Sequence, residues 1–166
     1  MCCFAGDTKI YTLDGYTDIE NIRPGSYVWS WNFEGQYIEP ARVNELVTIH
    51  QSNASKQALL IFEHGISLTA TADHPFYVNG KGWSAIDYET WATRTDINID
   101  VSQLEIGDVC FTWNNTTKKL EPCKLIEIFS VPRSHVYTLA LDKNWCFFAE
   151  SILAHQETPE DNKEEN

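Results

Sequence analysis

The stretch IRPGSYVWSWNFEGQYIEPARVNELVTI, residues 22–49, returns without a gap as LEIGDVCFTWNNTTKKLEPCKLIEIFSV, residues 104–131, a shift of 82 positions. Gly25 falls on Gly107, Trp31 on Trp113, Asn32 on Asn114, Glu39 on Glu121, Pro40 on Pro122 and Glu45 on Glu127. Val43, Leu46 and Ile49 fall on Leu125, Ile128 and Val131. Each copy opens on a glycine turn and alternates apolar with polar residues, the pattern of a half-buried hairpin. Convergence of two similar hairpins is the competing explanation. The repeat is better read as a duplicated β subdomain folded about a pseudo-twofold axis, which can bring both chain ends to one central site.

Working outward, further short runs of strand character lie at 9–13, 58–62, 66–71, 136–141 and 146–153, punctuated by Asp14-Gly15, Glu63-His64-Gly65 and Asp142-Lys143-Asn144. Asp-Gly after a strand is a hairpin signal. Only 84–93 resembles a helical turn. Many closely spaced strands with almost no helix predict an all-β domain.

The 166 residues suffice for one domain with a real core. A net charge of -12 argues against nucleic acid, whose phosphates need a basic footprint. Part of that charge sits in residues 157–166, ETPEDNKEEN, which have no apolar residue to pack and read as a disordered tail or flanking segment. The folded domain is therefore expected over residues 3–156. No apolar run approaches the length of a membrane span, and the opening has neither a basic nor an apolar leader. A soluble monomer is expected. Five cysteines, odd in number and without C-x-x-C spacing, favour a reducing compartment such as the cytoplasm. Cys110, Cys123 and Cys146 lie in apolar strand patterns and read as small buried hydrophobes.

Three segments carry candidate chemistry. In Cys3-Phe4-Ala5-Gly6-Asp7-Thr8, a cysteine heading a strand can attack the carbonyl that precedes it, turning an amide into a thioester with intramolecular proximity. In Thr71-Ala72-Asp73-His74, an imidazole near neutrality suits protonation of the departing amide nitrogen, and Thr71 is placed to hydrogen-bond the scissile carbonyl or amide. In Ile152-Leu153-Ala154-His155-Gln156, the side-chain amide can close on its own backbone carbonyl as a cyclic imide, cutting the chain after itself, with His155 assisting. A third set of roles is open to the same thiols. Cys3, His74 and Cys2 or Cys146 are zinc-ligand types, and bound zinc would inhibit by occupying the thiolate; no cofactor is required.

In combination these segments resemble inteins and their hedgehog-type relatives, the Hint domains. The opening is similar to their Cys-Phe-x-x-x-Thr, followed by a D-G hairpin and Ile19-Glu20-x-Ile22-x-x-Gly25. The middle resembles their Thr71-x-x-His74-x-Phe76 block, followed by Trp83 and Leu104-x-x-Gly107-Asp108. The close resembles Val136-Tyr137-x-Leu139-x-Leu141 and Phe147 onward to Gln156. The resemblance spans residues 3–156 and implies a horseshoe-shaped duplicated β fold. It also implies single-turnover self-processing by an N-S acyl shift, with the flanking polypeptides as covalent substrates. It assigns the nucleophile to Cys3 over Cys2 through the spacing to Thr8, and catalytic roles to Thr71, His74, His155 and Gln156. Several departures bear on subtype. Gln156 stands where asparagine is usual, Glu157 where an acceptor Cys, Ser or Thr is needed, Thr138 in place of a common aspartate and Trp145 in place of a frequent histidine. The pattern looks most like a bacterial intein-like (BIL) domain that cleaves, or splices inefficiently. The competing class is a degenerate Hint-fold binding module that has lost the chemistry.

Overall fold

The computed structural model describes residues 1–94 and 99–156. In chain order its strands are β1 (Phe4–Ala5), β2 (Lys9–Thr12), β3 (Gly15–Asp18), β4 (Tyr27–Asn32), β5 (Tyr37–Ile49), β6 (Gln57–Phe62), β7 (Ser67–Thr71), β8 (Phe76–Val78) and β9 (Gly82–Ala85). After one short helix, α1 (Glu89–Ala92), come β10 (Ser102–Gln103), β11 (Val109–Asn114), β12 (Lys119–Val131), β13 (Val136–Leu141), β14 (Cys146–Ala149) and β15 (Ile152–His155). The all-β architecture is the expected one. The acidic segment 157–166 lies outside the described residues.

The two repeat copies fold as the same object. β4–β5 pairs Tyr27 with Arg42 and Asn32 with Tyr37; β11–β12 pairs Val109 with Lys124 and Asn114 with Lys119, each position moved by the same shift. Gly25 and Gly107 both take positive φ (91° and 97°), a region open to glycine at little cost, and both donate their N–H at 2.8 Å, to the carbonyls of Val43 and Leu125. At the hairpin tips Asn32 accepts the Gly35 N–H and Asn114 accepts those of Thr116 and Thr117, the Asx-turn habit of asparagine. The same side chains donate to Glu39 and Glu121. That explains why Asn and Glu recur together in the repeat.

Each long strand then pairs with the strand that follows the other copy. β5 takes β13, from Val43↔Leu141 to Ile49↔Val136, and β12 takes β6, from Leu125↔Phe62 to Val131↔Gln57. Both ladders slip once at the same place, between Leu125 and Glu127 in one and between Ala140 and Leu141 in the other. The halves are thus interlocked by strand exchange about the pseudo-twofold axis. β1 is wedged between β7 and β13, with Phe4 opposite both Ala70 and Tyr137. The β14–β15 pairing closes the sheet on itself.

Inward-facing residues of both copies fill one core that includes Phe4, Val43, Phe62, Phe76, Leu125 and Phe147. A second cluster joins Trp31 and Trp113, the repeat's matching tryptophans, with Phe148 and Leu153. Two local expectations need correction. The run 146–153 is two strands, because Glu150 and Ser151 both adopt positive φ (49° and 66°) and reverse the chain. Within 84–93, Ser84 and Ala85 belong to β9, where Phe76 pairs with Ser84, and helix is confined to Glu89–Ala92.

Candidate active site

Cys3 precedes β1, and the wedge fixes its main chain. Thr71, the last residue of β7, donates its N–H to the Cys3 carbonyl at 2.9 Å, and its Oγ1 accepts the Cys3 N–H at 2.9 Å. Of the two partners open to Thr71 in the sequence, the amide is the one its hydroxyl meets. Cys2 and Cys3 are both fully buried but face opposite ways, as successive residues of an extended chain must. The Cys2 side chain joins Ala85 and Trp91, while that of Cys3 joins Ala54 and Val136.

A tight turn returns the chain from β7 to His74, whose N–H donates to the Thr71 carbonyl at 3.0 Å. The ring packs on Phe4 with centroids 4.0 Å apart. Its Nε2 donates to the His155 carbonyl at 2.7 Å, and a carbonyl can only accept, so Nε2 carries the proton. In the neutral ring Nδ1 is then a bare nitrogen, and it is buried without a hydrogen-bond partner. Burial pushes the His74 pKa down to about 3, more than the carbonyl of His155 and the backbone of Cys3 push it back up. The sequence suggested an imidazole near neutrality; the enclosure makes the resting ring neutral instead.

At the other end β15 delivers His155 and Gln156. The His155 N–H donates to the Pro75 carbonyl at 3.0 Å, and its Nδ1 bonds the carbonyl of Gln156, the one that precedes the bond to Glu157. Trp83 meets the His155 ring edge to face, with centroids 4.9 Å apart. Gln156 is fully buried; its N–H donates to the Trp145 carbonyl and its Oε1 accepts the Leu141 N–H, both at 2.9 Å. Trp145 contributes its backbone, its ring being exposed. Thr138, buried in β13, has a hydroxyl without a partner.

The structure therefore gathers Cys3, Thr71 and His74 around one peptide bond and His155 and Gln156 around another, with the His74–His155 hydrogen bond joining the two groups. Asp73 and Trp91 belong to the same neighbourhood and carried no sequence signal of their own. Asp73 is buried, and Trp91 Nε1 donates to its carbonyl at 2.6 Å. The remaining cysteines lie elsewhere. Burial raises the thiols of Cys110 to about 12 and of Cys123 and Cys146 to about 11, the range of inert, protonated groups. The Cys146 thiol is given to the Trp31 carbonyl at 3.3 Å, away from Cys3. Among the described residues no three His, Cys, Asp or Glu side chains converge on a metal-sized site. No helix of the described residues is long and apolar enough to cross a membrane.

The model of one family, the Ataxin-1 and HBP1 module (AXH), matches residues 18–115, more than half of the chain. The chain belongs to the AXH family. That AXH match begins at the last residue of β3 and stops in the turn after β11, leaving out Cys3, His155 and Gln156. Solved structures cover both ends. A DnaB intein from Synechocystis sp. PCC 6803 is 17% identical, with 95% of this chain and 99% of that chain covered at a TM-score of 0.76. A bacterial intein-like domain from Clostridium thermocellum is 22% identical, with 93% and 99% covered at 0.72. An intein from a hyperthermophile is 16% identical, with 94% and 100% covered at 0.70. The AXH chain thus has the horseshoe-shaped intein, or Hint, fold. The intein likeness includes both copies of the repeat whole, whereas the AXH match cuts the second hairpin in half. No curated protein matches the sequence.

Proposed function

We propose that this Hint-type domain cleaves its own flanking peptide bonds, once per molecule. The observation that carries the reading is the grip on the Cys3 amide, whose N–H is held by Thr71 Oγ1 at 2.9 Å beside a buried neutral imidazole. The Cys3 thiol attacks the carbonyl carbon of Cys2, and its proton passes to the bare Nδ1 of His74. The same proton goes to the Cys3 nitrogen as the C–N bond breaks, leaving a thioester on sulfur and a free amine. No proton from solvent is consumed, which suits a ring whose burial disfavours the charged form. Hydrogen bonding to His155 keeps Nε2 protonated and Nδ1 available throughout.

At the far end the side-chain nitrogen of Gln156 attacks its own backbone carbonyl. A six-membered imide forms, the bond to Glu157 breaks, and the proton lost by the attacking side-chain nitrogen is matched by the one the departing nitrogen gains. The contact of His155 with that carbonyl polarises it, and the Leu141 N–H holds the side-chain oxygen. Glu157 offers no hydroxyl or thiol to accept an acyl group. The products are therefore cleaved flanks, with ligation rare. The test is a protein fused upstream of residue 3 and treated with hydroxylamine: a hydroxamate at the upstream partner's new C-terminus is expected. A folded precursor that yields none would make the chain a binding module of the same fold.

A further inference from the structure

The residue before the scissile bond is not left in solvent. Cys2 is fully buried in a cluster with Ala85 and Trp91, edged by Ile99 and Val101. The walls are fixed by backbone pairing and by a hydrogen bond. Ala85 pairs with Gln103 and accepts the Leu104 N–H at 2.9 Å. Trp91 is pinned through its Nε1 to the Asp73 carbonyl and lies 6.3 Å, centroid to centroid, from the His155 ring. The residue ahead of Cys3 is therefore seated against β9 and α1.

We infer that Ala85, Trp91, Ile99 and Val101 form a recognition pocket for the side chain immediately upstream of the cleaved bond, selecting a small apolar residue, with Trp91 setting the size limit. This rests on Cys3 as the nucleophile, which makes residue 2 the acyl side of the bond. A pocket filled by cysteine leaves no volume for a ring, and the packed interior around it gives way only at a cost. A cationic side chain as long as arginine is disfavoured by the same limit on size. Because Trp91 also touches the turn bearing His74 and the ring of His155, an oversized residue 2 displaces the machinery as well as itself.

The test is a set of fusions carrying Cys, Ala, Val, Phe or Arg at position 2, each read twice. Hydroxylamine release is measured in the active domain, and the thermal midpoint in a Cys3→Ala background. Release is expected to slow by about tenfold or more for Phe and Arg relative to Ala. The Phe fusion should recover when Ile99→Ala or Val101→Ala enlarges the pocket, two partly buried sites that keep the test usable if Trp91→Leu fails to fold. Midpoints should follow the same order and the same rescue. Equal release for Ala, Phe and Arg from a domain that does cleave overturns the pocket and leaves self-processing standing. Ordered, rescuable midpoints without release from any fusion overturn self-processing and keep the pocket as the seat of the upstream residue. Flat midpoints together with flat release overturn the pocket.

Discussion

Acid should weaken this domain through a single ring. His74 has an ordinary pKa of 6.5 and one of about 3 when folded, because its enclosure by Phe4, Phe76 and the β15 backbone excludes the charged form. Between those values the unfolded chain takes up a proton and the folded one does not, so stability rises with pH and is lost as pH falls below about 6.5. Each pH unit across that window is worth about 1.4 kcal/mol, giving a loss of about 2 kcal/mol from about pH 7 to pH 5, and about 3 kcal/mol by about pH 4. For a domain with ordinary stability of about 5–15 kcal/mol that is a large share. Urea unfolding of a Cys3→Ala protein, which keeps the bond ahead of residue 3, should be compared with the same protein carrying His74→Gln, whose side chain does not titrate. The difference between the two stability curves should show the slope, since carboxylates common to both cancel. A parallel slope in both proteins, or a His74 ring proton that titrates near 6.5 by NMR, refutes the burial reasoning.

Other outcomes follow from the same geometry. Cys3→Ala should abolish thiol-induced release of an upstream partner, whereas Cys2→Ala, small enough for the same apolar seat, should retain it; the reverse result transfers the nucleophile. His74→Ala should slow release by about 10²–10⁴-fold in a protein folded by circular dichroism, the range for loss of a general acid and base. Thr71→Val keeps the shape of β7 but removes the hydroxyl that accepts the Cys3 N–H, and should cost about tenfold or more in hydroxylamine release. Gln156→Asn should speed cleavage after residue 156, since a five-membered imide closes more readily than a six-membered one. Adding Glu157→Cys should shift the products toward ligated flanks by intact mass, and no C-terminal cleavage in a folded Gln156→Asn precursor would reduce the close to a boundary.

The repeat was legible because it is written in residues with fixed jobs. A glycine turns into each copy, an asparagine caps each tip, and a glutamate receives that asparagine, so the shift from residue to residue survives into register. The exchange of β6 and β13 between halves was not legible, since alternation marks a strand and says nothing about its neighbour. The reversal at Glu150-Ser151 escaped for a different reason: positive φ is imposed there on two side chains with no glycine to announce it. The candidate site divides the same way. Cys3, Thr71, His74, His155 and Gln156 stood out as chemically apt types at telling places. Trp91 and Asp73 join the site through position alone, and the lowered pKa of His74 depends on burial among residues distant in sequence.

Wedging β1 between β7 and β13 also sets an order in time. Cys3 is made before both of its later neighbours: the strand that flanks β1 on one side, Val136–Leu141, and the carbonyl of His155 that orients His74 come more than about a hundred residues further along the chain. At about 5–20 residues per second that interval is on the order of ten seconds. Until it has passed, the nascent chain carries the Cys3 thiol without the neighbours that the folded domain places around it. Under the proposed self-cleavage, a protein fused ahead of Cys3 has that interval in which to fold before the bond holding it can be cut. The topology works as a delay timer, started when Cys3 is made and released when β15 is complete.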